Sequence, residues 1–194
     1  MSAEGNARLT AATAAALLVL LAAEGTTIPF IGQLTVLHMF LGMLLVPVVV
    51  LKLASTAWRF AGYYLGRPAY VRRGPPHLLI RVAVAPLVVA STAVLFGTGI
   101  LLIALHPQRG LLLGLHKAAF LVWFAAVGVH VLAHLLNVRA LVGADLRPRQ
   151  RGARLRQAAV AAAIACGLVL AVATLPEAHA WVDWARLAQG GREH

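Results

Sequence analysis

The chain has 194 residues, of which 61% are hydrophobic and 12% charged, with a mean hydropathy of +0.84. A soluble domain is nearer half apolar and a quarter charged, so this composition is read as an integral membrane protein with no separate soluble domain. The net charge of +11 is interleaved with apolar runs and reads as orientation signals, not as a nucleic-acid-binding surface.

The first apolar run, Leu9–Ala23, is short for a spanning helix, which takes about 20 residues. Two readings stand open: a retained span, which is preferred, or a signal peptide over residues 1–23. The lone Arg8 opposite Glu4 makes a poor positive start for the latter. Glu24 follows the run and is read as a solvated loop acid, with acceptance of protons from a quinol as its functional alternative. The second run, Ile31–Leu53, carries His38 and Gly42, and Pro47 is expected to bend its inner half. The third, Leu78–Leu105, is interrupted by Arg81 and Pro86 and holds Gly97 and Gly99 toward its far end. The fourth, Leu111–Val138, carries His116, Lys117, Gly128, His130 and His134. The fifth, Leu155–Leu175, is alanine-rich and able to approach a neighbour closely; its single cysteine, Cys166, is read as a small packing residue. Trp181 and Trp184 beyond it are placed on a short interfacial helix. The expected fold is all-α: a helical membrane bundle of five transmembrane helices, one domain over residues 1–194.

The charges give an expected topology. Lys52, Arg59, Arg67, Arg72, Arg73 and Arg81 lie between or beside the second and third spans, and Arg139, Arg147, Arg149, Arg151, Arg154 and Arg156 follow the fourth. The other side has Arg109, Lys117, Arg186 and Arg192. Positive charge stays inside, so a bacterial cytoplasmic membrane would hold the N-terminus in the cytoplasm and the C-terminus outside. Trp58, Phe60, Tyr63 and Tyr64 after the second span read as an inner aromatic belt.

This topology sorts the histidines by depth. The second and fourth spans run parallel, which brings His38 and His116 to one level in the outer half. Two neutral imidazoles facing each other across a bundle can ligate one haem iron axially. Gly42, Gly128, Gly97 and Gly99 are small residues that would admit a flat macrocycle, or equally serve helix contacts. His130, fourteen residues after His116, is the natural ligand at an inner level, with His134 one turn further. Its partner is the difficulty: fourteen residues after His38 stands Lys52, which is expected to snorkel to the cytoplasmic surface, and His77 is read as an interfacial loop residue. Arg81 inside and Lys117 outside are candidate counter-charges for haem propionates, or topological anchors.

The order LHMFLG, LFGTG, LHKAAF and VHVLAH over about 31–137 resembles the membrane-bound b-type cytochromes. That group includes the four-helix cytochrome b subunits of formate dehydrogenases and nickel–iron hydrogenases, and the same order is similar to membrane proteins of high-GC actinobacteria. The resemblance implies a four-helix cytochrome b-like core plus one helix, and an electron carrier between a quinone pool and a redox partner. The missing second histidine on the second span departs from the pattern and leaves one haem b expected and a second open.

The expected function is therefore haem b-based electron transfer within or across the membrane, with His38, His116 and His130 as metal ligands and no catalytic residue of its own. Lacking any flavin or nicotinamide fingerprint, the chain would take electrons from quinol or from another polypeptide, as the cytochrome b subunit of an oxidoreductase complex. The basic loops would meet anionic lipid. The alternative is a histidine-dependent cation or proton transporter without haem, against which the lack of a carboxylate at the centre of any span counts.

Overall fold

The computed structural model describes residues 2–72, 80–105, 110–145 and 152–190, with the side chains of 80–81, 133–145 and 188–190 outside the description. Among the described residues the chain is helical throughout, with no strand. Four stretches are long and apolar enough to cross a membrane: Ala3–Tyr64, Val82–Leu105, Leu111–Leu132 and Ala153–Ala173.

The first stretch is 62 residues long, several times what a bilayer needs, and it folds back on itself. Helix α1 (Ala3–Thr27) starts on Ser2, whose hydroxyl accepts from the Gly5 N–H at 3.1 Å, and an ion pair joins Glu4 to Arg8. Its turn is set by Pro29, which has no N–H to offer the Gly25 carbonyl. The chain tightens there into a single 3₁₀ turn, Ile28–Phe30, before helix α2 (Ile31–Tyr64). The two rods lie antiparallel. Asn6 Nδ2 donates to the Ser55 carbonyl, Thr10 Oγ1 to Ser55 Oγ, and Lys52 Nζ to the Thr10 carbonyl, each at 3.0 Å.

Two expectations are corrected here. Lys52 is half-buried and tied to the backbone of α1, because the hairpin supplies a carbonyl nearer than water. In α2 the departure from helical dihedrals falls at Leu34 (φ −106°, ψ 18°), just after the turn, and not at Pro47, which sits within continuous helix. Helix α2 ends in a Schellman motif: Gly66 at φ +68° turns the chain, with Arg67 N–H on the Gly62 carbonyl (3.0 Å) and Gly66 N–H on Tyr63 (3.1 Å). A short helix, α3 (Pro68–Val71), then lays Tyr70 across Gly62, and the Arg67 guanidinium stands 4.7 Å from the Trp58 ring centroid.

A π-helical turn, Ile80–Val84, leads into α4 (Ala85–Leu105). Pro86, the second residue of α4, follows the π-helical turn directly. Helices α4 and α5 (Leu111–Asp145) also pack together, with Trp123 Nε1 donating to Thr92 Oγ1 at 3.0 Å. Helix α6 (Ala153–Ala173) packs along α2, and α7 (Leu175–Gly190) carries Trp181 and Trp184 as a separate helix against α2 and α4.

Helix α2 touches α1, α4, α6 and α7, which makes it the central rod. Its Leu45 and Val48 are fully buried. Met43 and Leu44 form a core with Ile103 of α4 and Ala171 of α6, flanked by Leu20, Met39, Phe40 and Leu170. Outward-facing Val19, Leu121, Phe124, Leu132 and Val169 are well exposed, as lipid-facing side chains are in a protein viewed without its bilayer. Asn6 is wholly buried in the α1–α2 seam. Asn6→Ala is expected to weaken the hairpin by about 1–2 kcal/mol, the upper range for one interhelical hydrogen bond plus a small void. Unfolding in mixed detergent micelles would read it.

Candidate functional site

The turn at 28–30 decides what faces what. Glu24 and His38 stand seven positions either side of Ile31, and Thr10 and Lys52 twenty-one. Helix α1 continues unbroken through Glu24 to Thr27, so Glu24 is a helical residue held against α2. Its Oε1 lies 3.0 Å from His38 Nδ1, with the two side chains 13% and 25% exposed. The expectation of a solvated loop acid is overturned, because the helix runs one turn past the apolar run that marks it in the sequence.

Thr27 completes this corner. Its hydroxyl donates to the Glu24 carbonyl at 2.6 Å and stands 2.8 Å from His38 Nδ1. A hydroxyl has one proton, and Thr27 spends it on Glu24. Its oxygen therefore accepts from His38, and the neutral His38 ring carries its proton on Nδ1, leaving the lone pair on Nε2.

His116 reaches the same tautomer from the other hairpin. Its Nδ1 is 3.2 Å from the Leu95 carbonyl, which can only accept, and 3.1 Å from Thr98 Oγ1. Thr98 is already turned back onto the Val94 and Leu95 carbonyls at 2.6 and 3.0 Å. So Nδ1 of His116 is the donor and Nε2 again holds the lone pair.

The two rings meet. His38 and His116, each within the first eight residues of its helix, have centroids 6.5 Å apart and planes at 88°. Met39 and Phe40, next to His38 in the chain, pack against the core formed by α2, α4 and α6. Gly99 lies against His116: a Cβ there would stand 3.3 Å from Cε1 and 3.7 Å from Nδ1. Gly42 faces the Glu24 carboxylate, and a Cβ there would stand 3.7 Å from Oε1, an ordinary van der Waals contact. Around Gly97 and Gly128 nothing lies within 4 Å of a Cβ. Gly99→Val is expected to destabilise the α4–α5 hairpin by about 1–3 kcal/mol through overpacking on the imidazole, whereas Gly97→Val stays within about 1 kcal/mol. Thermal unfolding of the two variants in one detergent would compare them.

The remaining candidates are scattered. His130 is half-buried on α5, roughly 21 Å along the axis from His116. Of the groups weighed as its counterpart, Lys52 is bonded to Thr10, while His77 and the Arg81 side chain lie outside the described residues. The His134 side chain, His106 and His194 lie outside them too. Lys117 is exposed on α5 beside His116, and His179 binds the Leu175 carbonyl on exposed α7. Among the described residues no group of three or more His, Cys, Asp or Glu is placed to hold a metal ion alone. The residues the sequence reading missed are Thr27 and Thr98, and it did not pair Glu24 with His38. The signal for Glu24 and Thr27 was the Pro29 turn, which sets the register of everything either side of it. Thr98 and His116 are likewise nine positions either side of residue 107.

No protein-family model matches the chain, and no curated protein or solved structure is significantly similar to it.

Proposed function

We propose that the chain is an integral membrane electron-transfer protein that holds one haem b between His38 and His116 and passes electrons between a quinone pool and a redox partner. The observation that carries this reading is the ring pair itself: two imidazoles from separate hairpins, 6.5 Å apart, with both Nδ1 atoms occupied elsewhere and both Nε2 lone pairs left over. A metal–imidazole bond is about 2.0–2.1 Å, so rings on opposite sides of one metal have centroids roughly 6–6.5 Å apart. The donor set suits a haem, whose porphyrin supplies the four equatorial nitrogens and asks the protein for two axial ones.

In this reading five transmembrane helices, α1, α2, α4, α5 and α6, make the bundle, and α1 is a retained member because it brings Glu24 and Thr27 to the ligand on α2. The N-terminus lies in the cytoplasm and the C-terminus outside. Haem supplies reversible one-electron carriage when bound. The chain's own residues would bind it at Nε2 of His38 and His116 and fix both rings through their Nδ1 protons. Lys117 on the outer side and Arg81 on the inner side are the proposed counter-charges, and the basic loops meet anionic lipid. A dithionite-reduced minus oxidised spectrum with pyridine-haemochrome quantitation tests the proposal: a b-type spectrum at one haem per chain is expected, and purified protein that takes up no haem overturns it.

A second reading draws support from Glu24. A carboxylate bonded to a histidine inside an apolar bundle is the kind of pair that relays protons or binds a cation. A haem-free transporter of this kind would show no visible absorbance and would move protons or cations across liposomes in a Glu24-dependent way.

A further inference from the structure

We infer that Glu24 is a positioning residue that makes His38 the stronger of the two axial donors and so biases the site toward its oxidised state; this rests on the haem reading above. The two histidines are held alike in geometry and unlike in charge. His116 gives its Nδ1 proton to a neutral carbonyl and a neutral hydroxyl, Leu95 and Thr98. His38 gives its own to a neutral hydroxyl and a carboxylate, Thr27 and Glu24.

The carboxylate is well enclosed. Glu24 Oε2 is buried with no hydrogen-bond partner among the described residues, so the acid's hydrogen bonding from side chains is concentrated on the His38 side. Gly42 of α2 packs against the acid, with its Cβ position 3.7 Å from Oε1. A hydrogen bond to an anion draws the Nδ1 proton away from the ring and raises the electron density at Nε2. The same negative charge, in a water-poor setting where it is little screened, favours the more positive oxidation state of a nearby metal. Both effects have one sign: they lower the reduction potential. The site is thereby polarised, with its α1–α2 side electron-rich and its α4–α5 side neutral.

The test uses the full-length protein in detergent, reconstituted with haem, in wild-type, Glu24→Gln and Thr98→Val forms. Gln keeps an acceptor for the ring and removes the charge. The expected result, read on the haem-loaded fraction of each form, is a midpoint potential that moves upward in E24Q by clearly more than in T98V. A low-spin ferric electron paramagnetic resonance signal that loses imidazolate character in E24Q alone should accompany it. Equal potentials in E24Q and wild type, or an equal shift in T98V, overturn the inference. A haem-independent measurement separates this from failure of the haem reading: with ¹⁵N-histidine labelling, the His38 Nδ1 proton resonance should move upfield in E24Q in protein without haem. If that shift appears while no variant binds haem, the Glu24–His38 bond stands and the cytochrome reading falls, and the inference about potential falls with it. If the resonance does not move, the carboxylate does not hold the ring and the inference fails directly.

Discussion

Alanine at position 38 or 116 is expected to abolish the b-type absorbance of the purified protein, with haem content falling by more than the roughly 10–100-fold that loss of a mere outer-shell partner causes. Each substitution removes one of two ligands, and the ring left behind has no second imidazole to complete the sandwich. The His38 and His116 centroids are 6.5 Å apart, the spacing of two ligands on one metal, and neither ring can fill both places. His179→Ala, on exposed α7 with its Nδ1 turned to the Leu175 carbonyl, should leave the spectrum as it is. Size-exclusion chromatography of each variant checks that the bundle is intact. A normal spectrum in both ligand variants would refute the assignment of the site.

Replacing Gly167 should damage the fold most. A Cβ built on Gly167 of α6 runs into the carbonyl oxygen of Leu44 and comes within 3.0 Å of its carbonyl carbon. The obstacle is backbone of the central helix, not the tip of a flexible side chain, so α6 itself must move away. Alanine is expected to cost about 1–3 kcal/mol by overpacking, partly offset by its better helix propensity of up to about 1 kcal/mol. Valine should cost more and unseat α6 from α2. The damage should reach the site, because Leu44 shares a core with Met43, Ile103 and Ala171, and Met39 and Phe40 beside His38 pack on that core. Gly128→Ala, where nothing lies within 4 Å, is the matched control and should be neutral or slightly stabilising. Thermal unfolding in detergent, followed by circular dichroism, would rank the three; a G167V protein as stable as wild type would contradict the close contact.

Much of the helical layout is legible in the residues. Runs of Leu, Val, Ile and Ala leave the backbone no water to bond with, so each run must satisfy its own amides as helix. That argument locates α1, α2, α4, α5 and α6 to within a few residues at most ends. It fails at ends where polar or interfacial aromatic residues continue a helix past its aliphatic stretch, as Glu24–Thr27 and Trp58–Tyr64 do. Pro47 misleads for the opposite reason: a proline marks a possible bend, and in α2 the break falls instead at Leu34, beside the tight turn. His38 and His116 could be matched by depth alone, since position along a rod follows from residue count. Lys52 could not be placed that way, because depth says nothing about a carbonyl on the neighbouring rod.

By itself, then, the chain's order of apolar runs determined a helical membrane protein and the level at which two imidazoles lie, because both follow from spacing along a single rod. Only tertiary structure decided which groups stand sideways from them: the Glu24 carboxylate and Thr27 at His38, Leu95 and Thr98 at His116, and the Gly167–Leu44 contact that seats α6. Those neighbours depend on how the hairpins close and how the rods turn about their axes, and rotation about an axis is fixed by packing against other helices.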